Sequence, residues 1–362
     1  MVTISEVAKR IGVSPATVSR VINNVDHPIK EETRQKVLAA VHELKFSSNI
    51  YAKGLSGRPN VIALCLGFSL SDDPGCAYSL AGITQGINTV ARSLGYHVFL
   101  DTSLMPDDTL DDAILPGTLF AGAIVVSPRR NNPYVDFFTE KKIPFVILGS
   151  RQFSQSNFLD ADNYSVGRRA VKYLSSIGRD RIGCLGGPAD FNPSLDMVLG
   201  FRSMIKELGL LHRQEWIARD RWTVENGRRM ALAMLKRPER PNAIFACTDF
   251  LALGALQAAS ELGISVPGDL SLVGYDDYSI ATMVHPRLTT FRHPDCEMGM
   301  KSMKWLIEEI IPHPDDGNVY QELVMPELII RDSCGGSQEM VVDEPPVKPP
   351  PGDIVMRTAR KG

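Results

Sequence analysis

A short stretch near the N-terminus carries side chains whose chemistry suits the recognition of a polymer surface. Its members are short, polar or basic, and they alternate with apolar residues at helical spacing: Ala16, Thr17, Ser19 and Arg20. The planar fork of an arginine matches the edge of a guanine, and an alanine methyl can pack on the methyl of a thymine. The pattern is therefore compatible with the reading of bases in a DNA groove, and equally with an ordinary solvated helix face.

Start and stop signals place this stretch on the second of three short helices. Thr3 begins a capping box at the start of a first helix, which Gly12 ends. Ser14 as N-cap and Pro15 at the first helical position then begin the second helix. A third helix is expected from about Lys30. Two helices joined by a tight glycine-containing turn make a helix-turn-helix, whereas spacing alone also permits a plain three-helix bundle.

Charge is distributed unevenly along the chain. Residues 1–58 hold nine lysines and arginines against five acidic residues, a net charge of +4 in a chain whose total is −3. The remainder therefore carries −7. A basic N-terminal region on an acidic remainder favours a protein that presents one end to phosphates.

Residue identities in this region resemble the DNA-binding head of the lactose-repressor (LacI/GalR) family. The resemblance runs over residues 4–23 and centres on Gly12-Val13-Ser14 and the following Thr-Val-Ser-Arg-Val. It implies that Pro15, Ala16 and Arg20 reach base edges in the major groove, Pro15 by shape and exclusion because proline cannot hydrogen-bond a base. The full DNA-binding set implied for the head is Thr3, Ser14, Pro15, Ala16, Thr17, Ser19, Arg20 and Asn23, of which Thr3, Thr17, Ser19 and Asn23 would contact phosphates.

Residues 49–57 resemble the hinge segment of the same family, usually Asn-x-x-Ala-Arg-x-Leu. The matching residues are Asn49, Ala52, Lys53 (in place of the arginine) and Leu55. In relatives, two hinges pair as helices over the operator centre, and the leucine wedges into the minor groove at a cost of about a few kcal/mol. Gly54 should weaken such a helix by roughly 0.5–1 kcal/mol relative to alanine. We expect a hinge that is disordered off DNA and helical on it; a flexible linker is the alternative.

From Val61 onward, short apolar runs alternate with amphipathic stretches. The pattern predicts strands at 61–66, 96–100, 121–126, 144–148, 181–185, 243–246 and 270–273, with a helix at 79–94 after the first. Strict alternation of strands and helices indicates parallel sheets covered by helices on both faces. More than five such units in this part of the chain indicate two lobes.

This part resembles the sensor domain of the same family, a type I periplasmic-binding-protein fold, over residues 60–334. The matching stretches include 246–255, 266–277 and 286–290. The resemblance implies an α/β chain with an all-α helix-turn-helix domain at 1–46, a hinge at 47–59, and a disordered tail at 335–362. Residues 60–334 would form a two-lobed effector-binding and dimerisation domain with parallel doubly wound sheets, in which the chain crosses between lobes near 161, 291 and 322.

Candidate ligand-binding residues follow from this fold, because ligands of doubly wound sheets bind beyond the carboxyl ends of the strands. Asp276 follows the last predicted strand, where a carboxylate can accept two hydroxyl hydrogen bonds or cap a turn. Trp222 stands where relatives stack an aromatic ring on the ligand, with a core tryptophan as the alternative. Thr248 occupies a position often filled by asparagine. Phe68 and Arg151 are expected to border the cleft.

Two departures from the family pattern alter the expected pocket. Met197 replaces the arginine that sugar-binding relatives carry three residues before the Gly200-Phe201 pair. The segment from Phe68 to Tyr78 lacks the usual Asp-x-x-Asn-Pro-Phe-Phe and is longer. Tyr78 either stacks on a ligand or simply packs. A sugar or nucleoside-like effector is therefore the family expectation.

The composition bears on the cellular compartment and on the cofactors that we expect. No apolar run reaches the roughly 18 residues of a membrane span, and the first residues lack a signal-peptide pattern. The six cysteines are scattered without a Cys-x-x-Cys motif. We therefore expect a cytoplasmic protein with no structural disulfides, no metal, no cofactor and no membrane partner.

The predicted function is that of a dimeric repressor on a pseudo-palindromic operator in double-stranded DNA, controlled by a small carbohydrate-like effector. The tail contains prolines and lacks a leucine heptad, so a homodimer rather than a tetramer is expected. An activator or ligand-independent regulator is the alternative, favoured by Met197. An enzyme is a distant one, because the chain has no Gly-x-Ser-x-Gly, no phosphate-binding glycine loop and no metal-spaced histidines.

Overall fold

The computed structural model describes residues 4–22, 28–44, 59–67, 74–102, 119–128, 132–151, 155–189, 191–314 and 317–336. The chain divides into two compact units after Pro59. Several expectations concern residues outside the described ranges: the roles of Thr3, Asn23, Asn49, Ala52, Lys53, Leu55 and Phe68, the hinge helix, and the disordered tail beyond residue 336.

The described part of the N-terminal unit, residues 4–22 and 28–44, contains three helices. They are α1 (Ile4–Ile11), α2 (Pro15–Ile22) and α3 (Glu31–Glu43). Gly12 follows α1 with a φ of +70°, a left-handed conformation that glycine adopts without steric cost. The buried core consists of predicted apolar positions from all three helices: Val7, Ala8, Val18, Val21, Val37 and Ala40. The three predicted helices are confirmed.

The first lobe of the second unit is built on a parallel six-stranded sheet. Its strands are β1 (Val61–Leu66), β2 (His97–Asp101), β3 (Gly122–Val126), β4 (Phe145–Leu148), β5 (Phe158–Ala161) and β11 (Gln321–Val324), in the order β11-β5-β4-β3-β1-β2. The packed helices are α4 (Pro74–Ser93), α5 (Pro133–Glu140) and α11 (Asp295–Trp305), which continues as a π-helical turn over Leu306–Ile310.

The second lobe has a sheet of the same size. Its strands are β6 (Ile182–Gly186), β7 (Ile217–Arg219), β8 (Ala243–Ala246), β9 (Ser271–Asp276), β10 (Thr289–Arg292) and β12 (Glu327–Ile329), in the order β12-β10-β9-β8-β6-β7. Strand β12 is antiparallel to β10, and the other recorded pairings are parallel. The helices are α6 (Asn163–Ser176), α7 (Asn192–Glu207), α8 (Val224–Leu235), α9 (Asp249–Glu261) and the short α10 (Ile280–Met283).

The chain passes between the two sheets after Ala161, after Arg292 and after Val324. Each lobe has apolar clusters on both faces of its sheet, as expected for doubly wound sheets. Close helix packing sets one local requirement: a Cβ on Gly167 would lie 2.0 Å from the carbonyl oxygen of Met197, so the backbones of α6 and α7 meet at a glycine.

Some boundaries differ from the predictions. Strand β9 runs three residues past its predicted end and includes Asp276, because a glycine, a tyrosine and an aspartate end the apolar run before the pairing ends. Helix α4 begins at Pro74 rather than at residue 79, so Tyr78 lies on a helix and not in a loop. Strands β5, β7, β10, β11 and β12 were not predicted; three of them are short, partly exposed edge strands.

No helix in the described part of the chain is long and apolar enough to cross a membrane. The cysteines for which the structure gives a side-chain state are free thiols: Cys65, Cys184, Cys247, Cys296 and Cys334.

Candidate functional site

The start of α2 has the geometry of a helix N-cap. The Ser14 hydroxyl oxygen accepts a hydrogen bond from the backbone N–H of Thr17 at 3.1 Å, and the two hydroxyl groups lie 2.8 Å apart. This bond satisfies one of the amide groups that a helix leaves unpaired at its start, as predicted for Ser14.

The outer face of α2 presents the side chains singled out in the sequence. Pro15, Ala16 and Arg20 are exposed, whereas Val18 and Val21 on the opposite face are buried in the core. Thr17 and Ser19 are partly exposed. The result is a short helix with its apolar side fixed and a small, polar and basic side facing outward. Such a face can enter a major groove and contact phosphates.

A cleft of about 700 Å³ lies in the second unit, where strands of both sheets end. Its lining comes from both lobes and from the segments that join them: Ser79, Ile83, Ser127, Leu148, Gly149, Asp160, Asn163, Phe191, Pro193, Met197, Trp222, Cys247, Thr248, Tyr275, Asp276, Tyr278, His293 and Met298. The position agrees with the rule that ligands of such sheets bind beyond the carboxyl ends of the strands. Of the seven predicted ligand residues, the structure brings Met197, Trp222, Thr248 and Asp276 together.

Asp276 lines the cleft and has an unusual backbone conformation. Its φ is +112°, and that of Asp277 is +60°, in a region that residues other than glycine rarely occupy. Asp277 turns away from the cleft and pairs with Arg331 at 2.5 Å and Arg292 at 2.8 Å. The two adjacent carboxylates therefore diverge, as expected. Backbone strain of this kind persists only where surrounding structure holds it, and it is common at ligand sites.

Trp222 and Thr248 are held differently in the cleft. The Trp222 ring packs edge-on against Phe191, with centroids 4.9 Å apart and an angle of 87° between the planes. A Cβ on Gly187 would lie 1.7 Å from the indole nitrogen, so glycine there makes room for the ring. The Thr248 hydroxyl oxygen accepts from the N–H of Leu251 at 3.2 Å and caps α9 while the residue lines the cleft.

Arg151 is absent from the described lining of the cleft. Its guanidinium donates two hydrogen bonds, of 2.7 and 2.6 Å, to the carboxylate of Asp196 on α7. The Asp196 side chain is buried and that of Arg151 is largely so, with exposures of 4% and 14%. Burial raises the pKa of Asp196, and Arg151 opposes that shift. Arg151 follows β4 in the first lobe, so the pair links the two lobes.

Tyr78 is likewise outside the described lining. It is about half exposed and stacks on Tyr278 with centroids 5.1 Å apart, and Phe250 lies 5.7 Å away. Tyr78 belongs to α4 of the first lobe, and its two partners belong to the second. The contact therefore joins the lobes beside the cleft, which Tyr278 also lines.

Sequence reasoning missed one of the two acids that line the cleft. Asp160 is 1% exposed at the end of β5, and burial raises its pKa to about 7, with Asp196 adding to the shift and His293 opposing it. Its signal in the sequence is one charged residue within the apolar run of β5, Phe-Leu-Asp-Ala. The neighbouring Asn163 accepts a hydrogen bond from the Tyr275 hydroxyl at 2.7 Å.

His293, also missed, belongs to a chain of polar groups across the cleft wall. The Ser79 hydroxyl donates to Asp295 at 2.5 Å, and the same carboxylate oxygen lies 2.7 Å from Nδ1 of His293 at an angle outside hydrogen-bond geometry. Burial lowers the pKa of His293, but Asp295 and Asp160 raise it by more, so the net shift is upward. Within the described residues, no group of three or more His, Cys, Asp or Glu is arranged to hold a metal ion.

Each of the two units contains a region that matches a known protein family. Residues 3–49 match the model of bacterial regulatory proteins of the lacI family, and residues 171–334 match a periplasmic binding protein-like domain. The HTH-type transcriptional repressor PurR of Escherichia coli O139:H28 (strain E24377A / ETEC) is 31% identical over 340 residues, which cover 92% of this chain and 97% of PurR.

Two solved structures extend the similarity to the fold. A lac repressor dimer bound to operator and the anti-inducer ONPF has a TM-score of 0.77 and 25% identity, covering 92% of this chain and 98% of the repressor. The transcriptional regulator CelR in complex with cellobiose has a TM-score of 0.67 and 26% identity, covering 92% of this chain and 100% of CelR. The chain therefore belongs to the lacI family of bacterial regulatory proteins, whose members matched here are transcriptional regulators and not enzymes.

Proposed function

We propose that this protein is a cytoplasmic transcriptional repressor that binds a pseudo-palindromic operator as a homodimer. A small polar ligand in the cleft would control its affinity for the operator. The observation that carries the proposal is the outer face of α2, where Pro15, Ala16 and Arg20 are exposed on a helix anchored by Val18 and Val21. PurR, a repressor, and a lac repressor dimer on its operator support the assignment.

We assign the roles within the head from the family resemblance, and the exposure of the α2 side chains supports those on that helix. Pro15, Ala16 and Arg20 read base edges, and Thr17 and Ser19 contact phosphates, joined by Thr3, Asn23 and the hinge residues around Leu55. Ser14 acts through its cap, which fixes the first turn of α2. In the cleft, Met197, Trp222, Thr248 and Asp276 contact the effector.

Effector control rests on the construction of the cleft. The cleft lies between the lobes, and both lobes supply its walls, as in many small-molecule sites. A ligand that contacts both lobes favours one relative position of them, and this is how a bound molecule changes an equilibrium elsewhere in the chain. CelR, solved with cellobiose, is a relative with a small polar ligand.

The test begins with purified full-length protein and sheared genomic DNA at near-physiological salt. We expect a few sharply enriched fragments that share a short palindrome. On that palindrome, Arg20→Ala should weaken binding by about 1–3 kcal/mol and relax base preference in each half-site. Lys36→Ala is the control, because Lys36 is an exposed lysine of the head paired with Glu32 on α3. Diffuse binding without a motif, or equal effects of the two variants, would refute the proposal.

A further inference from the structure

The described lining of the cleft is acidic. It contains two carboxylates, Asp160 and Asp276, and one imidazole, that of His293, and neither lysine nor arginine is among the described lining residues. Two nearby basic groups are held against carboxylates. Arg151 is paired with Asp196, and His293 lies against Asp295. A ligand that entered this cleft would therefore meet carboxyl oxygens and no lysine or arginine among the described lining residues.

Asp160 has an acceptor that no protein group uses. Its Oδ1 accepts from the N–H of Ala161 at 2.8 Å and from Nδ2 of Asn163 at 3.4 Å, whereas Oδ2 is buried without a hydrogen-bond partner. An unpaired buried acceptor of this kind lowers stability, and buried charges are normally paired. An unmatched carboxylate oxygen in the wall of a cavity is therefore a place where a ligand can supply the missing donor.

The remaining walls are rich in aromatic rings. Trp222 and Phe191 form one edge-on pair, and Tyr275 and Tyr278 also line the cavity. The face of an aromatic ring attracts a cation, and tryptophan does so most strongly. The indole N–H of Trp222 is buried without an acceptor in the protein. The site thus offers an acceptor at Asp160, a donor at Trp222 and aromatic rings that can attract a cation.

We propose that the effector carries a protonated amine that donates to Asp160, together with a hydroxyl or similar acceptor for the Trp222 indole. Amino sugars and amino alcohols have both groups. The inference rests on the proposed function, since it names the chemical class of the ligand in the proposed effector cleft. It departs from the neutral sugar of the family expectation, because Met197 stands where sugar-binding relatives carry an arginine and the described lining contains two carboxyls.

The ionisation of Asp160 agrees with this assignment. Burial holds the pKa of its carboxyl at about 7, so a cation bound beside it lowers that pKa and completes its ionisation. Charge on the ligand replaces the partner that the carboxylate lacks. A neutral hydroxyl fills the same position with a weaker hydrogen bond and brings no charge to the carboxylate.

The test compares matched pairs of ligands on the full-length protein at about pH 7. The pairs are D-glucosamine with D-glucose, D-galactosamine with D-galactose, and 3-amino-1-propanol with 1,3-propanediol. Affinity is measured by calorimetry and by the shift in melting temperature. We expect amines to raise the melting temperature by about 3 °C at ten times their Kd, and their neutral partners to do so only at much higher concentrations.

Two variants separate the role of Asp160 from general charge effects. Asp160→Asn should weaken binding of the amines by roughly 10–100-fold and leave the neutral partners unchanged. Asp136→Asn is the matched control, since Asp136 is an exposed acid on α5 of the same lobe and is absent from the described lining. Melting curves of both variants without ligand verify folding.

The outcomes are separable from those of the proposed function. If no amine binds, if each neutral partner binds as well as its amine, or if Asp160→Asn has no effect on amine binding, the assignment is overturned. Operator binding is measured on the same preparations by fluorescence anisotropy with the enriched palindrome. Loss of specific operator binding would refute the repressor assignment. The ligand assignment is tested separately, by the affinities of each amine and its neutral partner.

Discussion

Two buried carboxylates lie where the lobes meet, and they are treated in opposite ways. Asp196 on α7 receives two hydrogen bonds from Arg151 and is shielded with it. Asp160 on β5 keeps one buried oxygen without a partner, and that residue lines the cleft. Both carboxyls have raised pKa values. The difference indicates that the Arg151–Asp196 pair holds the lobes together. The unpaired oxygen of Asp160 instead marks a position where a ligand can donate a hydrogen bond.

Removal of Arg151 should have the largest effect on stability. Arg151→Met leaves the Asp196 carboxylate buried and uncompensated, which is expected to lower the free energy of unfolding by about 3–5 kcal/mol. Chemical denaturation of the full chain, followed by circular dichroism, measures the change.

The control for Arg151 is an arginine–aspartate pair on the surface. Arg287 and Asp332 are 58% and 42% exposed, so Arg287→Met should lower the unfolding free energy by no more than about 1 kcal/mol. In the double variant Arg151→Met, Asp196→Leu, most of the lost stability should return, because no buried charge remains unpaired. Equal losses from Arg151→Met and Arg287→Met would contradict the distinction between the two carboxylates.

Asp160→Asn should shift stability in the opposite direction, and the shift should depend on pH. The folded protein holds the Asp160 proton up to a pKa of about 7, whereas an unfolded carboxyl loses it near pH 4. The folded state therefore binds more protons between these values, and stability falls as the pH rises through them. His293, Asp196 and Arg151 are the charged groups that influence this carboxyl most.

Asparagine carries no charge, so the variant has no cost of burying an ionised carboxylate at position 160. The variant should exceed the parent in unfolding free energy by about 1–3 kcal/mol at pH 8, and the gain should shrink as the pH falls and disappear below about pH 4. Melting temperatures across this pH range measure the difference. A gain that is independent of pH would show that the buried charge of Asp160 is not its source.

The smallest expected effect belongs to the aromatic contact between the lobes. Tyr78 and Tyr278 stack across the lobe boundary, so a double-mutant cycle with alanine at both positions should give a coupling of about 0.5–1.5 kcal/mol. Thermal unfolding of the four proteins measures the coupling. Strictly additive effects of the two substitutions would mean that the two rings do not interact in solution. The Arg151–Asp196 pair would then join the lobes without a contribution from this aromatic contact.

Much of the molecule was predictable from short-range patterns. The three head helices, the cap at Ser14 and the buried strands of both lobes follow from capping signals and apolar periodicity within a few residues. Errors occurred where the pattern is weak. Strand β5 contains a charged residue, and β11 and β12 are short, partly exposed edge strands without a helix between them. Strand β11 pairs with the distant β5, where Gln321 faces Phe158, and β12 pairs with β10, where Ile329 faces Thr290.

The sequence by itself determined the fold class, the outward face of α2 and the presence of an acid at Asp276, because each depends on residue type and local spacing. Only the tertiary structure decided which side chains share the cleft. It directed Arg151 toward Asp196 instead of the cleft, stacked Tyr78 on Tyr278, and left Asp160 with an unpaired oxygen. Hydrogen-bond partners and desolvation are set by groups that approach from distant parts of the chain, and local periodicity carries no information about them.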